Sequence, residues 1–138
     1  MLHFSAGTTR LVISFGPWAF KIGKGKRGRA ANRSEFGVWE KNPPSKRVFL
    51  CPSQKLFLNG LLLVAKRASL FRPGEMTDDL YIRLGIAWMR EQPFDDAPFE
   101  PKDSDWGWID GKPVAIDYAL TQDFEDAYYP HNEKLGAE

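Results

Sequence analysis

A chain of 138 residues, 43% hydrophobic and 14% aromatic, is long enough to bury one core without cross-links and too apolar to remain disordered. Its one cysteine, Cys51, excludes an internal disulfide and a cysteine-built zinc site, and points to a reducing compartment. The net charge of +1 hides a segregation: residues 1–72 carry 14 Lys/Arg against Glu35 and Glu40, whereas residues 73–138 carry five Lys/Arg against 16 Asp/Glu. Either oppositely charged faces meet within the fold, or one is offered to a charged partner. No basic stretch leads into an apolar core at the N-terminus, and the longest apolar run, Leu61 to Ala65, is far too short for a bilayer. A soluble cytoplasmic protein with no membrane partner is expected.

In chain order, Leu11 to Phe15 and Trp18 to Ile22 are short apolar strands around Gly16-Pro17, a predicted hairpin. The basic, glycine-rich "GKGKRGRAANR" is predicted as a mobile loop leading into a helix over Ala30 to Lys41. Phe36 and Trp39 have helical spacing there, and Asn42-Pro43-Pro44 ends the helix. Arg47 to Pro52 and Lys55 to Leu58 read as strands, and Asn59-Gly60 turns the chain into the strand Leu61 to Ala65. Arg72-Pro73-Gly74 coincides with the charge switch within what is expected to be one domain, 1–138. Thr77 is a predicted N-cap for an amphipathic helix bearing Leu80, Leu84, Ala87 and Trp88. "PFDDAPFEPKDSD" reads as a loop. A second hairpin comes next, Trp106 to Ile109 and Pro113 to Ile116 around Asp110-Gly111, a dipeptide suited to a tight turn because both positions tolerate positive φ. Asp117 ends that hairpin, either to cap the next segment or to be presented to something. The tail from Thr121 has at most a short helix. The fold class is α+β: a mainly antiparallel N-terminal sheet with one packed helix, then a helix and a β-hairpin.

That element order, with "AFKI" at 19–22 and "IDGKPVAIDYA" at 109–119, resembles the protein-kinase-like phosphotransferases in a reduced form. The resemblance implies a kinase-like small lobe. Lys21 is similar to the strand lysine that contacts nucleotide phosphates, Glu35 or Glu40 to its helix partner, and Asp117 to the metal-binding aspartate delivered by a hairpin. It implies ATP and Mg as cofactors, with Asp105 and Asp117 as the metal ligands. The chain departs from the pattern where a catalytic loop would place an aspartate and, five residues on, an asparagine: Glu100 and Asp105 stand there, with Asp103 nearby. Ala6-Gly7-Thr8 is a poor phosphate cradle, and the 21 residues after Asp117 leave no room for a helical lobe to bind an acceptor. The implied function is a minimal, catalytically inactive kinase-like protein that binds a macromolecule. Small phage or mobile-element proteins that inhibit a host system are similar in length and charge. An active Mg-dependent phosphotransferase is the alternative.

Two further surfaces are candidates for partners. Lys24, Lys26, Arg27, Arg29 and Arg33 suit a polyanion such as nucleic acid, which binds largely by counterion release. The acidic half could instead fill a basic groove on another protein. The five tryptophans read as core, with Trp106 and Trp108 on one strand face. His3, His131, Ser34 and Cys51 have no neighbour in sequence that would make a general base or an activated nucleophile.

Overall fold

The computed structural model describes residues 3–6, 9–91 and 97–118. The expectations for Gly7 and Thr8, for the segment 92–96, for His131 and for the tail 119–138 lie outside them. The chain is α+β. Five antiparallel strands, β1 (His3–Ala6), β2 (Arg10–Phe15), β3 (Trp18–Gly23), β4 (Ser53–Phe57) and β5 (Leu62–Lys66), lie in the order β1-β2-β3-β5-β4. Helix α1 (Gly25–Lys41) connects β3 to β4 and packs against β3, β4 and β5. The four-residue helix α2 (Pro44–Arg47) lies between α1 and β4. Beyond β5 come β6 (Ser69–Leu70), helix α3 (Asp78–Glu91) and the hairpin of β7 (Trp106–Ile109) and β8 (Lys112–Ala115). Strands β6, β7 and β8 form a second antiparallel sheet.

The pairing register determines which side chains of the first sheet face α1. Val12 lies opposite Lys21, which lies opposite Leu63; Ser14 lies opposite Ala19, which lies opposite Ala65. Successive side chains alternate between faces, so Arg10, Ser14, Ala19, Lys21, Leu63 and Ala65 share one face, and all six are buried. The bulkier Leu11, Ile13, Phe20, Ile22 and Val64 are on the other face and only half-buried. The helix covers the face that carries the charges.

Two segments differ from the sequence expectation. The glycine-rich basic segment is helix from Gly25 onward rather than a mobile loop. Its glycines serve close approach: a Cβ on Gly28 would collide with the Thr9 carbonyl and the Gly23 backbone, and one on Gly23 with the backbone of Gly28 and Arg29. The Lys24 amide donates to the Thr9 carbonyl at 2.7 Å, and the Gly28 amide donates to the Lys24 carbonyl at 3.1 Å, opening the helix. The segment expected as a strand over Arg47 to Pro52 begins instead as the last turn of α2, because Pro44 in the first turn favours helix. Only its second part is extended, where Leu50 forms a parallel bridge with Ala115.

The remaining elements follow the sequence. The Thr77 hydroxyl accepts from the Leu80 amide at 3.1 Å, capping α3. Asp110 and Gly111 take φ of 51° and 75°, the doubly positive turn that matches the twist of a two-residue hairpin. The core joins Val38, Leu50 and Phe71 of the basic half to Leu84, Trp88, Phe99, Trp106, Ala115 and Tyr118 of the acidic half. Trp106 is fully buried there, and Trp108 stacks on Phe71 at 4.5 Å between ring centroids. Trp18 departs from the core expectation: beside the β2–β3 turn it is 38% exposed. Among the described residues no helix is long and apolar enough to cross a membrane.

Candidate functional site

Lys21, Glu35 and Asp117 come together under α1, joined by an arginine. Glu35 is fully buried on the inner face of the helix and receives two cations: Lys21 Nζ at 2.5 Å and Arg10 NH1 at 3.1 Å. The other terminal nitrogen of Arg10, NH2, reaches Asp117 Oδ1 at 3.2 Å. Lys21 Nζ also donates to the Ile116 carbonyl at 2.5 Å. Asn32, one turn before Glu35, fixes the frame: its Oδ1 accepts from Arg10, and its Nδ2 donates to the carbonyls of Lys21 and Gly60 at 2.9 and 2.8 Å. Two cations therefore face two carboxylates, with Arg10, Lys21 and Glu35 buried and Asp117 partly exposed at the edge.

Its electrostatics follow from burial and pairing. Burial alone would raise the Glu35 pKa, but Arg10 and Lys21 outweigh it and hold the carboxyl below its ordinary value. Burial would likewise lower the Arg10 pKa, and Glu35 with Asp117 more than restores it.

The three residues after β8 are sewn into the basic half one after another. Ile116 offers its carbonyl to Lys21 and Asp117 its carboxylate to Arg10. The Tyr118 hydroxyl meets Ser53 Oγ at 2.7 Å and donates to the Cys51 carbonyl at 2.7 Å, while the Tyr118 amide donates to Glu35 at 3.4 Å. The hairpin ends on a carboxylate because a buried arginine receives it there.

Asp105 sits beside this frame: its carbonyl accepts from the amides of Ile116 at 2.8 Å and Asp117 at 3.4 Å. Burial, then the neighbouring charge of Asp117, push its carboxyl up to about 6. Two such carboxylates could share a hydrated divalent cation, but Asp117 already faces the Arg10 guanidinium. Among the described residues no group of three or more His, Cys, Asp or Glu side chains could hold a metal.

The other candidates stand apart. Glu40 is exposed, 4.0 Å from Arg47, so Glu35 alone partners Lys21. Asp103 accepts from the Gly74 and Met76 amides at 2.8 and 2.7 Å, which holds its pKa down and ties it to the turn before α3. Glu100 pairs with Lys102 at 3.2 Å. Burial raises the Cys51 thiol to about 11, so it is not a nucleophile at neutral pH. Lys24, Lys26, Arg27, Arg29 and Arg33 occupy the N-cap and first half of α1. Sequence reasoning did not single out Arg10 or Asn32. Arg10 shares the face of Lys21 because it lies two residues from Val12, the partner of Lys21, a parity that only the register reveals. Comparison with protein-family models, curated proteins and solved structures finds no match.

Proposed function

We propose that the chain is a catalytically inactive protein built on a kinase-like small lobe, acting by binding a macromolecular partner. Three features support the lobe: a five-stranded antiparallel sheet with a helix after its third strand, a strand lysine held by a helix glutamate, and an aspartate just after a hairpin. The lysine–glutamate pair suits an active enzyme as well as an inert one. The observation that carries inactivity is the Arg10–Asp117 pair at 3.2 Å. The aspartate that would hold magnesium is given its counter-charge by the chain's own guanidinium, while Lys21 is engaged by Glu35 and the Ile116 carbonyl. With Glu100 and Asp105 where a catalytic aspartate and asparagine are needed, neither a base nor a metal cradle is assembled.

Partner binding is supported by the segregation of charge and by α3. The inner face of α3 buries Leu84 and Trp88, yet Ile82, Ile86 and Met89, spaced i, i+4 and i+7, are each at least 50% exposed. The expected result with γ-labelled ATP, Mg or Mn, and generic protein acceptors is no label transfer and no hydrolysis above buffer. Metal-dependent transfer that is lost in Asp117→Ala would overturn the proposal in favour of an active phosphotransferase.

A further inference from the structure

We infer that the outer face of α3 pairs antiparallel with the same face of a second copy of this chain, about a two-fold axis. The inference rests on reading the α3 stripe as a binding face, but on neither Lys21 nor Asp117. Leu84 and Trp88 turn the inner face of α3 into the core. Ile82, Ile86 and Met89 are left outward, and Gly85 lies among them, three residues after Ile82. Glycine weakens the interior of a helix. A Cβ on Gly85 would meet nothing within 4 Å among the described residues, so packing within the chain does not require it. What the glycine provides is a shallow place on the apolar stripe, where another helix can come close.

Charge is sorted along the same face. Asp78 and Asp79 stand in the first turn of α3 and Arg90 in the last. Asp79 and Arg90 are separated by about three whole turns, so they lie on one edge of the stripe. Arg83 Nε donates to Asp79 Oδ2 at 2.9 Å, and the second contact of Arg83 falls on the same oxygen, which leaves Oδ1 without a partner among the described residues. Antiparallel pairing centred between Gly85 and Ile86 uses all of these at once. Gly85 lies opposite Ile86 of the second copy and Ile82 opposite its Met89, and the two-fold repeats each contact. At about 1.5 Å per residue, Asp79 is about 10 Å before the centre and Arg90 about 7 Å after it, so each Asp79 comes within about 3 Å, along the axis, of the other copy's Arg90. Parallel pairing would set acid against acid and base against base, which is unfavourable. Two turns of helix from each copy fall short of the roughly 800 Å² per partner of a standard interface, so the dimer is expected to be weak and reversible.

The test is sedimentation velocity of the full chain from about 5 to about 500 μM, in about 50 mM salt. The parent should pass from monomer to dimer across that range, and Ile86→Asp should stay monomeric. Asp79→Arg and Arg90→Asp, both at exposed positions, should each weaken association about fivefold or more. Mixed in equal amounts, the two charge variants should associate at least as tightly as the parent, because each then meets the opposite charge at both ends of the pair. Gly85→Leu should weaken the dimer while raising the thermal midpoint, since leucine favours the helix and blocks the approach, and that rise shows that the variant folds. Sedimentation reports on α3 and label transfer on the nucleotide frame, so either reading can fail alone. The inference is overturned by a parent that is monomeric throughout the range, by a dimer that Ile86→Asp leaves intact, or by a mixture of the charge variants no tighter than either variant by itself.

Discussion

Glu35 is the residue on which the network turns. It is buried without exposure to solvent and faces two cations, so removing its charge leaves Arg10 and Lys21 desolvated with too little counter-charge. Glu35→Gln should cost about 3–5 kcal/mol in urea unfolding. Glu40→Gln, on the exposed end of the same helix, should change stability by less than about 0.5 kcal/mol. Equal effects would contradict the pairing. Asp105 yields a prediction of opposite sign. Burial, then the charges of Asp117 and Glu100, raise its carboxyl to about 6 against the opposing Lys102 and Arg10, so between about pH 4 and 6 the folded chain holds a proton that the unfolded chain has lost. That contribution favours folding below about pH 4 and disappears as pH rises through 6. Asp105→Asn should therefore be more stable than the parent at pH 7, by about 1 kcal/mol once the carboxyl's partial exposure to solvent is allowed for. Parallel pH–stability curves for the two proteins would contradict it. Lys21, Glu35 and Asp117 were singled out in the sequence by a resemblance carried on a strand, a helix and a hairpin, and the fold brings the three side chains within one network. Arg10 was not, because its role depends on a register that brings β2 and β3 under one helix, and on a segment more than 100 residues away.

At the scale of elements, the β2–β3 and β7–β8 hairpins, the α3 cap and the end of α1 at Asn42 were all legible, since turn dipeptides, caps and prolines act locally. The start of α1 was not. Glycine and clustered cations read as a flexible loop, whereas Gly28 is needed for the helix to lie against Gly23 and the Thr9 carbonyl. Gly28→Ala should destabilise the protein by about 1–3 kcal/mol, as overpacking does. Gly37 lies in the same helix with nothing near its would-be Cβ. Gly37→Ala should stabilise it by about 0.5–1 kcal/mol through helix propensity and a less flexible unfolded chain. Thermal unfolding of the two variants checks both signs, and a stabilising Gly28→Ala would contradict the close approach. The one-turn helix α2 was missed for a related reason: Arg47 to Pro52 is apolar enough for a strand, but Pro44 starts a helix just before it, and its pairing partner is the distant Ala115.

Across the whole molecule, the charge segregation is bridged rather than erased. Arg10 and Asp117 join the two halves, and one core takes Val38 and Leu50 from the first and Leu84 and Trp88 from the second. In the proposed function, the segment that could present a carboxylate to a metal–nucleotide complex instead fastens the second half to the first. Thermal unfolding with and without millimolar Mg·ATP measures this directly, because a ligand that binds only the folded state stabilises it by about 2.7 kcal/mol at a hundredfold excess over its dissociation constant. The expected result is an unchanged midpoint for the parent protein and for Lys21→Ala, each compared with its own nucleotide-free scan. A rise of several degrees in the parent, abolished by Asp117→Ala, would show that the guanidinium yields to the nucleotide and that the site is open.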